Sequence, residues 1–235
     1  MQVAKSSVPV LVGKIGTLRS WRFFSAAIFL VSVPVFIQAP LVRAWPWIGL
    51  LSTGLWLGTG WVLQKRPASA NWGSLILGFT LTWIAGSLYW GWLRWEPLLH
   101  LPVEALAVPL VPLLLRIRAA RLGIFFYLGS LLGTAITDLY FYIVGLIPYW
   151  RQLMQVEPDL ALPILQDALG VMQTPWGQAW ALILILVLLF LSCAPLVQRG
   201  VLIGASSHFH WWVFSGAVVS TLLVDGLFWL SATQL

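Results

Sequence analysis

The chain has 235 residues, of which 60% are hydrophobic and only 9% are charged, and its formal net charge is +6. A soluble domain of this length covers its surface with more charge, so the composition excludes a soluble globular protein and indicates an integral membrane protein. The single cysteine, Cys193, excludes a disulfide framework and paired-cysteine metal sites, and no motif predicts a cofactor.

In chain order, seven apolar stretches approach the length of about 20 residues that a transmembrane helix needs. They are 23–42, 45–64, 72–93, 98–115, 122–149, 176–195 and 209–230. Pro102, Pro109 and Pro112 interrupt the fourth, which predicts a kinked or partly unwound helix. The fifth is long and is predicted to tilt or to run past the interface. The predicted fold is an all-α, polytopic transmembrane helical bundle of seven spans.

Residues 1–22 are predicted to form a basic cytoplasmic segment, and 23–235 a single seven-helix membrane domain with an outer loop at about 150–175. Lys14, Arg19 and Arg22 precede an apolar run, as in a signal peptide. That run extends for about 20 residues, however, and no small-x-small cleavage site precedes Arg43. The sequence therefore predicts a retained first helix.

The distribution of lysine and arginine predicts the orientation, because cytoplasmic loops are enriched in both. With the N-terminus in the cytoplasm and the C-terminus outside, three basic residues lie on the outer side: Arg43, Arg94 and Arg151. Ten lie on the cytoplasmic side: Lys5, Lys14, Arg19, Arg22, Lys65, Arg66, Arg116, Arg118, Arg121 and Arg199. If the fourth segment were re-entrant instead, seven basic residues would lie on the cytoplasmic side and six on the outer side. The basic charge thus follows the topology and predicts no nucleic-acid partner.

Three carboxylates, Glu104, Asp138 and Asp225, lie within apolar spans. An ionised side chain at the bilayer centre costs about 2.5–3.5 kcal/mol even on the lenient insertion scale, so such residues are usually paired and functional. At about 1.5 Å per residue, Asp138 and Asp225 both lie about 24 Å from the cytoplasmic start of their spans. Gln38 lies about 22 Å in, and Glu104 about 9 Å below the outer surface. We expect all four in the outer third of the membrane.

Two further patterns accompany these carboxylates. Thr134 and Thr221 each precede an aspartate by four residues and so share a helix face with it. The similarity of the two stretches is either a degenerate internal repeat or a chance match. His100 precedes Glu104 by four residues, and such a pair relays protons, supplies two metal ligands or forms a simple hydrogen bond at the interface.

The basic residues on the outer side offer a structural alternative. Arg43, Arg94 and Arg151 border the same leaflet and are candidates to pair with the carboxylates, which would lock helices together. The sixteen tryptophans cluster at the ends of spans, as interfacial belts do. Three of them between 88 and 95 leave open an aromatic-lined site or a pigment contact.

Four stretches of the chain resemble a family of cyanobacterial multi-spanning membrane proteins of unknown function. They are 34–43 (PVFIQAPLVR), 88–105 (LYWGWLRWEPLLHLPVEA), 137–158 (TDLYFYIVGLIPYWRQLMQVEP) and 214–229 (FSGAVVSTLLVDGLFW). The resemblance implies a photosynthetic bacterium and a plasma or thylakoid membrane. It implies no activity.

The preferred function is a proton- or ion-coupled small-solute transporter, because a proline-broken helix carrying a carboxylate is a common way to build a substrate site in a membrane. The alternative is a non-enzymatic subunit or assembly factor of a photosynthetic membrane complex. The expected partners are the bilayer, a small solute or proton, and other membrane subunits. An enzyme is less favoured: Asp138 and Asp225 at equal depth are the only support for a hydrolase dyad. Lys5, Lys14 and Lys65 lie outside the spans, which argues against a retinal protein.

Overall fold

The computed structural model describes residues 8–157, 160–198 and 208–233, which contain helices and no strand. Lys5, Arg199 and the centre of the predicted outer loop, 158–159, lie outside the described residues. The α-helices within the described ranges are α1 (Val8–Ala44), α2 (Pro46–Gln64), α3 (Ala70–Leu88), α4 (His100–Glu104), α5 (Val111–Arg116), α6 (Arg121–Val144), α7 (Ile147–Gln155), α8 (Ala161–Met172), α9 (Pro175–Gln198) and α10 (Phe209–Thr233).

By length and composition, five of the described helical stretches could cross a membrane. They are Leu18–Ala44, Pro97–Arg116, Arg121–Val144, Pro175–Val197 and Phe209–Leu230. The second and third predicted spans are also helical, as α2 and α3, but each helix is only 19 residues long. The glycine, serine, threonine and tryptophan residues of α2 and α3 lower the mean hydropathy of these two helices, so neither is among the five. The apolar helices are compatible with an integral membrane protein.

Two helix boundaries in the structure differ from those that the sequence predicts. Helix α1 begins at Val8, well before the predicted start of the first span at residue 23. The fifth predicted span, 122–149, is divided: α6 ends at Val144, Gly145 takes a left-handed conformation with φ 81°, and α7 begins at Ile147. Glycine adopts this conformation without a Cβ clash, which explains why the chain turns at Gly145 instead of continuing as one long helix.

Helices α6 and α10 run side by side in parallel and form the centre of the bundle. A Cβ on Gly129 of α6 would lie 2.7 Å from the carbonyl oxygen of Phe214 on α10, and a Cβ on Gly133 would overlap Thr221. One turn further on, Thr137 bonds to Asp225. Small residues at four-residue spacing on α6 thus let the two backbones approach closely, as in other membrane helix pairs.

The remaining helices pack around this pair. Helix α1 packs against the opposite side of α10, α3 against α6, α2 against α3, and α9 against both α10 and α6. The largest buried cluster lies where four of these helices meet and includes Phe23, Phe79, Phe126 and Val213. The helices that carry the candidate residues are therefore held in fixed register.

Candidate functional site

The proline-rich fourth segment is broken, as the sequence predicts. It consists of a 3₁₀ turn at Pro97–Leu99, helix α4, a second 3₁₀ turn at Ala105–Leu110 and helix α5. Proline lacks the N–H that a regular helix needs, so backbone carbonyls in such a segment require other donors. The hydroxyl of Tyr127 on α6 donates to the Glu104 carbonyl oxygen at 2.8 Å, at the junction of α4 and the second turn.

Helix α4 places His100 against Asp138 of α6. The distance between Nδ1 of His100 and Oδ1 of Asp138 is 3.0 Å, and the two side chains are 15% and 16% exposed. Which of the two atoms carries the proton of this contact depends on the protonation state of the pair, because a histidine nitrogen can donate or accept. The pair joins the broken segment to a central helix and is nearly shielded from its surroundings.

Glu104 completes a group of three titratable side chains. It lies on the same short helix as His100 and is only 9% exposed. A histidine and two carboxylates can share protons among themselves, since the protonation of any one of them changes the charge felt by the others. The sequence prediction that His100 and Glu104 act together is compatible with this arrangement.

Aromatic rings enclose His100. The ring centroid of Tyr89 lies 4.4 Å from that of His100, and those of Trp150 and Trp90 lie 5.6 and 6.2 Å away. Tyr89 is fully buried, yet its hydroxyl has no hydrogen-bond partner among the described residues, and neither does the buried Nε1 of Trp150. Because buried polar groups nearly always have a partner, these two donors are candidates to bind something outside the chain.

Part of this enclosure can be predicted from the amino-acid sequence. The open alternative of an aromatic-lined site near 88–95 points to Tyr89 and Trp90, whereas Trp150 was interpreted as a belt residue only. A π-helical turn at Tyr89–Leu93 ends the third helical stretch. No periodic pattern in the sequence predicts this turn, and it contains both Tyr89 and Trp90.

Asp225 belongs to a different contact. Its Oδ2 accepts a hydrogen bond of 2.9 Å from the Thr137 hydroxyl, and its side chain is exposed on the surface of the bundle. Thr137 was not among the predicted site residues, although its position beside Asp138 could have identified it. Asp138 and Asp225 therefore bond to different partners, and no hydrogen bond joins the two carboxylates within the described residues.

The other predicted polar residues do not join His100. Gln38 donates from Nε2 to the Trp83 carbonyl oxygen at 2.7 Å and to the Ser87 hydroxyl at 2.8 Å, which ties α1 to α3. Thr221 is buried against Gly133, and Thr134 is half-buried on α6. Gln38 and Thr221 therefore lie at helix contacts.

The predicted pairing of arginines with the three intramembrane carboxylates does not occur among the described residues. Arg151 pairs with Glu96 instead, with 2.8 Å between its Nη2 and Oε1 of Glu96. Arg94 donates to the carbonyl oxygens of Trp90 and Gly91 and lies over the Trp95 ring. Arg43 is exposed at the end of α1. Arg94 and Arg151 thus bond to acceptors near the ends of helical segments and not to the three intramembrane carboxylates.

The ion pair of Glu96 and Arg151 holds the start of the broken segment against α7. Glu96 also accepts a hydrogen bond from the Leu98 backbone N–H, so it caps the first 3₁₀ turn. The hydrogen bond from Arg151, followed by that from Leu98, lowers the pKa of Glu96 below its usual value. A carboxyl group of this kind stabilises the fold above its ordinary pKa, and this contribution disappears as the pH falls through the lowered pKa.

We therefore expect acidification from pH 7 to pH 3 to loosen α7. Hydrogen–deuterium exchange of Ile147–Gln155, corrected for the intrinsic pH dependence of exchange, should increase at the low pH. Glu96→Gln should exchange faster at pH 7 and show little further change on acidification. Equal pH responses of the wild-type protein and Glu96→Gln would contradict the assignment.

No group of three or more His, Cys, Asp or Glu side chains that could hold a metal ion is found within the described ranges. The geometry at His100 is that of a histidine–carboxylate contact within an aromatic enclosure. Residues 27–233 match the family described as "Protein of unknown function (DUF3120)". The chain belongs to this family. No curated protein and no solved structure matches the chain. The family description assigns no activity, so a function must be argued from the site.

Proposed function

We propose that this member of the family is a seven-span membrane protein, with its N-terminus in the cytoplasm, that moves a small solute together with protons. The proton-binding group consists of His100, Asp138 and Glu104. The observation that carries the proposal is the direct contact of His100 with Asp138, a histidine–carboxylate pair that joins the proline-broken segment to α6.

This arrangement has the physical properties that coupling needs. Histidine changes its charge near neutral pH, and here its ring contacts a carboxylate that can exchange a proton with it. Broken helices expose backbone groups at membrane depth and build substrate sites in known carriers. Here α4 and its two 3₁₀ turns provide such backbone directly beside the proton-binding group.

The enclosure supports a solute site at the same place. The Tyr89 hydroxyl and the Trp150 indole N–H are buried donors without described partners, and both rings contact His100. A solute that carries a hydrogen-bond acceptor could bind both donors while stacking on Trp90 or Trp150. Its release would follow a change in the charge of His100, because the ring is the common neighbour of these groups.

Proton movement in proteoliposomes tests the proposal. Vesicles with an internal pH-sensitive dye would be exposed to a panel of amino acids, sugars, nucleosides and carboxylic acids. At least one solute should drive proton movement through the wild-type protein, and Asp138→Asn should reduce that movement at least about tenfold because Asn cannot carry the proton. Asp167→Asn is the matched control, since Asp167 is exposed on α8.

Two results would contradict the proposal. One is the absence of solute-driven proton movement across the whole panel. The other is equal movement with the wild-type protein and with Asp138→Asn, provided that both fold equally well as judged by gel filtration and circular dichroism.

A further inference from the structure

Asp225 has an unusual position for a carboxylate within a membrane helix. Intramembrane acidic residues nearly always face the interior of a bundle or a water-filled cavity. Asp225 lies in the stretch Phe209–Leu230, five residues before its end, and is exposed on the surface of the described bundle. At 1.5 Å per residue, it lies about 7.5 Å inside that end. The hydroxyl of Thr137 on α6 donates one hydrogen bond to the Asp225 carboxylate.

The surface around Asp225 has the form of a helix-packing site. Nothing lies within 4 Å of a Cβ built on Gly226, so the backbone there is bare and open to a close approach. Trp229 follows Asp225 by four residues, which places both on one face of α10, and its side chain is 46% exposed. A carboxylate beside an aromatic face is a combination that binds a cation by charge and by cation–π attraction.

A cation that pairs with Asp225 must come from another molecule. Arginines occur in the candidate spans only near their ends, and on the side of Asp225 the nearest is Arg43, one residue before Ala44. A second copy therefore offers no lysine or arginine at the depth of Asp225. The amine of a lipid headgroup lies at the membrane surface, above the level of Asp225. A spanning helix of another protein can place a lysine or arginine at any depth.

We propose that Asp225, Gly226 and Trp229 form a docking site for a membrane-spanning helix of a different protein, one that carries a lysine or arginine in the leaflet containing Asp225. Gly226 admits the backbone of the incoming helix, Asp225 pairs with its cation, and Trp229 covers the cation. This inference goes beyond the carrier function and does not depend on it, because none of these three residues contacts His100.

Synthetic transmembrane peptides test the site directly. Three leucine–alanine peptides would carry one lysine at the matched depth, one lysine at the equivalent depth of the opposite leaflet, or no lysine. Association with the purified full chain would be measured by fluorescence energy transfer in phosphatidylcholine vesicles, without any gradient. The matched lysine peptide should associate at least about tenfold more tightly than the other two.

Variants of the chain identify the source of that preference. Asp225→Asn keeps the size of the side chain and should abolish the tenfold preference, while Asp167→Asn should keep it. Gly226→Leu keeps the carboxylate but fills the open space, and should also weaken association. Equal binding of all three peptides, or an unchanged preference in Asp225→Asn, would overturn the proposal. Loss of the preference on adding phosphatidylethanolamine would show that a headgroup amine occupies the site, and would overturn it too.

Discussion

Replacing Gly123 with alanine is expected to destabilise the protein by about 1–3 kcal/mol, the usual cost of overpacking a tight contact. Gly123 lies near the start of α6, where α6 crosses α3. A Cβ there would overlap the Ser74 carbonyl oxygen and lie 2.9 Å from the Gly78 backbone nitrogen. Backbone atoms cannot rotate away, so the helices must separate, which also weakens the 3.0 Å bond from the Gly123 N–H to the Ser74 hydroxyl.

Gly58→Ala is the matched control for this prediction. Gly58 is also a helical glycine, but nothing lies within 4 Å of a Cβ built on it. Alanine there should be neutral or slightly stabilising, because it favours a helix more than glycine does. Both variants would be compared by reversible unfolding in mixed micelles. Equal stability of Gly123→Ala and Gly58→Ala would contradict the close crossing of α3 and α6.

The second large effect is expected at the pair of His100 and Asp138. Replacing either residue with leucine leaves the other charge-bearing group without its partner in a nearly buried position. Each single change should therefore lower the free energy of unfolding by about 1.5–3 kcal/mol, the range for hydrogen bonds that involve charged groups. The double replacement should cost less than the sum of the two, because it leaves no unpaired partner behind.

An independent hydrogen-bonded contact provides the control cycle. Ser192 of α9 and Ser215 of α10 each donate to the other's backbone carbonyl oxygen, at 3.1 and 2.6 Å. Ser215→Ala combined with Asp138→Leu should be additive within about 0.3–0.5 kcal/mol, as expected for sites without shared partners. Additivity within that same margin for His100 and Asp138 would show that their contact contributes nothing to stability.

The glycines show how far the sequence could predict the helix contacts. Gly129 and Gly133 have the four-residue spacing of a close-packing motif, and the structure places both against α10. Gly54 and Gly58 form the same motif on α2, yet both face open space. Gly78 and Gly123 make a closer backbone crossing, although neither has a glycine four positions away on its helix, where Gly78 has Ser74 and Thr82 instead. Whether a small residue contacts a neighbour depends on which helix lies beside it, and four-residue spacing does not contain that information.

In the candidate site, too, some features follow from the sequence and others depend on how the helices pack. The sequence singled out His100, Glu104, Asp138 and Asp225 because charge within an apolar span is costly. It also predicted the broken fourth segment, since proline cannot donate the hydrogen bond that a helix requires. It could not predict that His100 contacts Asp138, thirty-eight residues away in the chain. That contact exists because α4 and α6 are adjacent in the fold.

The apolar composition, the all-helical class, the interrupted segment and the identity of the costly carboxylates were determined by the sequence alone, because each follows from local chemistry. The tertiary structure decided how those carboxylates differ. Adjacent helical residues point about 100° apart, so Thr137 bonds to Asp225 at the surface, and Asp138 bonds to His100 inside the aromatic enclosure. Depth along a helix can be counted from the sequence, but direction around the bundle depends on how the helices pack.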